Sequence, residues 1–182
     1  MGRVGRCVLG LSGAFFAGIV LGVAYAYSNP ERAGEFVARL AREIGPISSD
    51  TFENFVRIFV HNSWVTLLVL LSGLFFGIGP WVIVTFNGVA VGVVSGFLTR
   101  SGLSFEKLVL SLIPHGIFEI PGFLLAGAAG IEWYRNVRES ESPAAGFVRG
   151  LRKALKLYIL TLGLLLIAAF VEAYVTPKIA GL

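Results

Sequence analysis

Five runs of apolar residues, each near the length that crosses a bilayer, dominate this chain: about 7–27, 63–79, 82–99, 106–131 and 155–175. A hydrocarbon core about 30 Å thick takes roughly 20 helical residues. Inside it every backbone N–H and C=O must find a partner, which a helix supplies from within its own segment. The sequence therefore predicts an all-α integral membrane bundle of about five transmembrane helices, forming a single transmembrane domain over residues 1–182. Residues 63–99 are too many for one span and just enough for two short ones, with Gly79-Pro80 marking the turn. With 55% hydrophobic and 14% charged residues, the chain has no room for a separate soluble catalytic domain.

Orientation follows from the basic residues near the helix ends. Residues 1–6 and 132–156 hold eight basic and three acidic residues, whereas 28–62, 100–107 and 176–182 hold seven and six. The N-terminus and a basic loop over 132–156 are thus expected in the cytoplasm, with the C-terminus outside a multi-pass plasma-membrane protein. Trp and Tyr prefer the interfaces: Tyr25, Tyr27, Trp64 and Tyr174 fall at outer ends, and Trp81, Trp133, Tyr134 and Tyr158 at inner ones. Arg3, Arg6 and the following apolar run imitate a signal peptide, but the run from Cys7 to Val23 exceeds the usual 7–15 residues and reads as an uncleaved span. The net charge of +4 sits beside the spans and suits a lipid bilayer as partner; it gives no nucleic-acid signal.

Between the first two spans, the segment 31–60 reads as amphipathic helix on the outer surface. Ala33, Phe36, Val37, Leu40, Ala41 and Ile44 follow helical spacing, Gly45-Pro46 stops the helix, and Asp50 with Glu53 starts another. Small residues recur every fourth position in three spans: Gly10, Ala14, Gly18, Gly22 and Ala26; Gly88, Gly92 and Gly96; Gly122, Ala126 and Gly130. Such stripes let backbones approach closely and gain van der Waals contact, the main source of helix association in lipid. They serve equally to pack the bundle or to join two copies, and their number favours a homodimer or other homo-oligomer.

The stretch "PHGIFEIP" interrupts the fourth apolar run. His115 and Glu119 are four apart and share a helix face. Pro114 and Pro121 lack an N–H and free the carbonyls of Leu110 and Ile117 around the same turn, with Gly116 between them. At about 1.5 Å per residue from residue 107, His115 and Glu119 lie roughly 12 and 18 Å below the outer surface. Glu172 lies nearer that surface and Asn87 in the inner half, so together they form a polar ladder, with His61 and Asn62 at its outer mouth. Titratable residues at this depth are costly and commonly paired, hydrated or functional. The ladder is therefore an interhelical hydrogen-bond network or a proton or cation path. Catalysis is not expected: a zinc hydrolase would need a third ligand beside the His115–Glu119 pair, "HGIFE" is not "HExxH", and no nucleophile elbow surrounds any Ser or Thr. Neither metal nor cofactor is implied.

The order of these features, with Asn87-Gly88 and its glycine stripe, then "PHGIFEIPGFLLAGAAG", then "FVEAYVTP", resembles the stage II sporulation protein M family of small polytopic membrane proteins. By that resemblance Pro114, His115, Gly116, Glu119, Glu172 and Pro177 match the family's motif positions, and a five-span bundle is implied. The family's namesake works beside a peptidoglycan hydrolase and a partner membrane protein, as an anchor rather than as the enzyme. The resemblance thus implies a non-enzymatic assembly component with an envelope membrane-protein partner. The alternative is a small transporter or channel centred on His115 and Glu119.

Overall fold

The computed structural model describes residues 2–44 and 48–180, apart from the side chains of Ile44, His115 and Ala180. Its helices are α1 (Arg3–Ser28), α2 (Pro30–Ile44), α3 (Thr51–Ser72), α4 (Gly79–Arg100), α5 (Phe105–Arg138), α6 (Pro143–Phe170), a π-helical turn (Val171–Val175) and α7 (Thr176–Ala180). Among the described residues there is no strand, so the chain is the all-α bundle its hydropathy dictates. α1, α3, α4 and the continuous stretch Pro143–Ile179 are each long and apolar enough to cross a membrane. α5 makes a fifth as one bent span, with 54° between Phe105–Pro114 and Gly116–Arg138. The bend falls at Pro114, which cannot bond the Leu110 carbonyl and whose ring crowds it.

α1 and α4 lie side by side in the same direction. Gly18 faces Thr85 and Gly88, Gly22 faces Val89 and Gly92, and Gly96 faces Val23 and Ala26. α5 and α6 form an antiparallel hairpin, with Gly122 against Thr161 and Leu165 at one end. At the other end Gly146 and Gly150 lie on Asn136, Val137 and Trp133, while Gly130 meets Leu70 and Gly73 of the α3 end. All three stripes thus have partners within the chain, and a second copy is not needed to account for them. Gly146, Gly150 and Ala154 form a further stripe on α6, all buried, within the segment 132–156 that is expected as a basic loop.

Several boundaries differ from those expected. α3 begins at Thr51, so the second amphipathic helix and the second span are one continuous helix. Asp50 caps it by accepting a 2.8 Å bond from the Phe52 N–H, while Glu53 accepts from the Ser48 hydroxyl rather than closing a capping box. The turn lies at residues 73–78, with Phe76 and Gly77 at positive φ of 56° and 72°; Gly79 and Pro80 begin α4 instead. Pro lacks the N–H that a first helical turn leaves unpaired anyway, which suits it to start α4. The basic segment 132–156 is mostly helical, because α5 continues to Arg138 and α6 starts at Pro143. The Trp133 indole N–H holds this hairpin closed by donating to the Phe147 carbonyl at 3.1 Å. Gly45-Pro46 lies outside the described residues.

The Tyr158 hydroxyl donates to the Ser63 carbonyl at 2.6 Å, which sets α6 against the middle of α3. Trp64 and Tyr158 therefore share one layer of the bundle, rather than the opposite interfaces expected of them. The same carbonyl also accepts from the Thr66 hydroxyl at 3.0 Å, and the Ser63 hydroxyl is buried without a partner among the described residues. Tyr158→Phe should accordingly cost only about 0.6–1 kcal/mol, the lower part of the roughly 0.6–2 kcal/mol that interhelical hydrogen bonds contribute in membranes. Ser63→Ala should be neutral or stabilising, since it removes an unsatisfied buried group. Denaturant titration of the two variants in mixed micelles checks both, and a loss of stability in Ser63→Ala would contradict the unpaired hydroxyl.

α2 folds over the end of the bundle opposite the N-terminus, here called the distal end. Ala33 is fully buried and Phe36 packs with it against Val93 and Phe97 of α4. Its charged residues Arg32, Glu35, Arg39 and Arg42 stay exposed.

Candidate functional site

The polar residues of the ladder come from four separate stretches, and tertiary packing gathers all of them but His115, whose side chain lies outside the described residues, around two adjoining cavities. The distal cavity, about 490 Å³, is lined by Leu40, Glu43, Arg57, Ile58, His61, Asn62, Glu119 and Glu172. The deeper one, about 230 Å³, takes its polar lining from His61, Asn62, Thr66, Asn87 and Glu119, with Phe15, Ile19, Val65, Val91, Ile120, Phe123 and Leu165 as apolar wall. His61, Asn62 and Glu119 line both, so they lie where the two cavities adjoin, between Glu43 and Glu172 on one side and Asn87 on the other.

Each lining group has a local cause. Glu119 projects from α5 between the two prolines, on the half that follows the bend. Gly116, one turn earlier, lines the deeper cavity, and among the described residues a Cβ built there would meet only Ile120 Cδ1, at 3.6 Å. It thus leaves volume open rather than admitting a neighbouring backbone. Glu172 lies in the π-helical turn Val171–Val175. Pro177 cannot bond the carbonyl four residues back, and the wider turn shifts the register so that Thr176 bonds Val171 through its N–H and, at 3.2 Å, through its hydroxyl. Single π-turns of this kind are frequent where a helix carries a functional side chain. Tyr174 in the same turn packs on Phe55 and Phe170, which fixes the turn against the start of α3.

Of the expected site residues, Glu119, Glu172, Asn87, His61 and Asn62 line these cavities. His61 and Asn62 do not begin a span, although their place at the start of the second apolar run suggests it. α3 starts 10 residues before His61, so the pair lies partway along that helix and lines both cavities beside Glu119, with His61 exposed and Asn62 half-buried. His115 is on α5, but its side chain lies outside the described residues. Pro114 and Pro121 both remain within α5, bending it rather than ending it. Asn87 donates to the Ile83 carbonyl at 3.3 Å, which anchors its amide on its own helix. Thr66, 2% exposed, donates to the Asn62 and Ser63 carbonyls and escaped the sequence reading, although the polar cluster "HNSWVT" inside an apolar run was a signal for it. Glu43 and Arg57 carry no such signal, since only the fold brings α2 and the start of α3 to the cavity. Among the described residues no three His, Cys, Asp or Glu come together as metal ligands would.

A bundle of four to five membrane-length helices, with carboxylate and amide side chains lining two adjoining cavities, defines a polytopic membrane protein. More particularly, the chain belongs to the Stage II sporulation protein M family, which it matches over residues 11–177. It is similar to an uncharacterized protein of Methanocaldococcus jannaschii, 33% identical over 132 residues, covering 70% of this chain and 73% of that protein. No solved structure matches it.

Proposed function

We propose that the protein is a non-enzymatic transporter or channel that passes protons or a small cation through the membrane by way of Glu119. The observation that carries this reading is that the distal and deep cavities share Glu119, His61 and Asn62. A carboxylate within the bilayer core is costly unless it is paired, hydrated or used, and here it meets open volume. Glu43 and Glu172 at the distal approach give that volume a predominantly acidic lining, with Arg57 as the one arginine or lysine among its described lining residues. The positive-inside distribution supports a cell-membrane orientation with the N-terminus and the α5–α6 hairpin cytoplasmic, so the distal cavity would open to the exterior.

Reconstitution into liposomes tests the reading directly. Under an imposed gradient, wild-type protein should carry protons, or a monovalent or divalent cation, above the rate of empty liposomes. Absence of flux for every ion and gradient would sink it.

A second reading, an assembly component of an envelope complex, draws support from α2. Its charged face is exposed while Ala33 and Phe36 hold it on α4. Charge reversal at Arg32 and Arg39 should then abolish co-purification of an envelope protein without changing flux or stability; unchanged co-purification would remove this reading.

A further inference from the structure

At the N-terminal end of the bundle, far from Glu119, lies an open hollow of about 510 Å³ lined by Arg3, Arg6, Cys7, Trp81, Arg135 and Glu139. We propose that it binds the phosphate headgroup of an anionic phospholipid. Three helices build it. Arg3, Arg6 and Cys7 share the first turns of α1, Trp81 opens α4, and Arg135 and Glu139 end α5. Cys7 forms the floor at 4% exposure. Trp81 is held against α1, since a Cβ on Gly10 would meet its ring.

The charges do not cancel. Arg3 donates to Glu139 at 2.6 Å, and Arg135 donates through the same Nη1 to Glu132 at 2.8 Å and to the Cys7 sulfur at 3.2 Å. Those bonds leave further N–H donors on both guanidiniums, each of which has five. Arg6 is exposed and adds a third positive charge against two carboxylates, and Arg138 acts on Glu139 from just beyond. Planar guanidiniums with spare paired donors suit a phosphate.

A lipid phosphate fits better than a free one, because the hollow opens beside membrane-length helices. Ile78 and Val82, on either side of Trp81, are 60% and 61% exposed and offer apolar surface for acyl chains. Tryptophan itself favours the headgroup level, and basic pockets between spans at that level are suited to anionic headgroups.

The test uses the full chain in a neutral detergent, titrated with phosphatidylglycerol, phosphatidylcholine or inorganic phosphate, with native mass spectrometry and thermal unfolding as readouts. Phosphatidylglycerol should bind and raise the unfolding temperature, while phosphatidylcholine and inorganic phosphate at equal concentration should not. Arg6→Gln should weaken phosphatidylglycerol about fivefold, corresponding to ~1 kcal/mol per basic residue near a headgroup. The Arg3→Gln/Arg6→Gln pair should weaken it more, and lipid-free unfolding temperature reports whether these variants remain folded. Arg152→Gln, an exposed basic residue elsewhere on α6, should leave binding unchanged. Equal binding of the two lipids, an equal loss in Arg152→Gln, unchanged binding in the double variant, or protection by inorganic phosphate alone would each overturn the proposal.

Discussion

Gly22→Leu should prevent the bundle from forming, or destabilise it by at least ~3 kcal/mol, whereas Gly163→Leu should be tolerated. A Cβ on Gly22 would overlap the Val89 carbonyl oxygen and come within 2.8 Å of Val93 N and 3.0 Å of Gly92 Cα. All three are backbone atoms of α4, so no side chain can turn aside and the two helices must separate. Separation forfeits the close van der Waals contact that holds helices together in lipid, where burial of apolar surface gives no comparable drive. Overpacking of ordinary cores costs about 1–3 kcal/mol when side chains can adjust, and here the obstacle is rigid along the whole seam. At Gly163 nothing lies within 4 Å of the added Cβ, so the change gains up to ~1 kcal/mol of helix propensity. Denaturant titration in mixed micelles separates the two cases. Equal stability of both variants would contradict the parallel α1–α4 seam.

Glu119→Gln should reduce proton or cation flux at least tenfold while changing stability by less than about 1 kcal/mol. Glutamine keeps the shape and hydrogen-bonding capacity of the side chain but cannot take up and release a proton or offer a full negative charge. Glu119→Asp retains the carboxyl and should keep part of the flux. Gly116→Val supplies an independent check, because its added methyl groups enter open cavity rather than packed atoms. It should obstruct flux without loss of stability. Should Glu119→Gln instead leave flux untouched and lower the denaturation midpoint, Glu119 would be a structural hydrogen-bonding residue.

The polar ladder was legible residue by residue, because a carboxylate or histidine inside an apolar run is conspicuous wherever it points. Its depth order was less so. His61 and Asn62 looked like residues at the start of a span, since polar residues before them carried the expectation of a separate surface helix. In the structure Asp50 caps a single helix through Ser72, which places the pair partway along it, beside Glu119 at the cavities. The turn at Gly73–Ile78 was displaced for a related reason. Gly79-Pro80 suits a break and a helix start equally, and only the positive φ of Phe76 and Gly77 distinguishes the two.

Hydropathy, small-residue spacing and the proline positions are properties of neighbours along the chain, so the sequence alone determined a helical membrane bundle with a polar interruption in its fourth apolar run. It also determined the glycine faces, but not which faces meet. Pairing of Gly18 and Gly22 with Gly88 and Gly92, of Gly130 with Gly73, and of Gly150 with Trp133 depends on how the helices are arranged in space. The cavities belong to the same level. They exist because Gly116 leaves room, the π-turn directs Glu172, and α2 brings Leu40 and Glu43 over residues on α3, α5 and the last span. Only tertiary packing decides whether a buried carboxylate meets another side chain or open space, since volume left between helices is recorded in no single stretch of the chain.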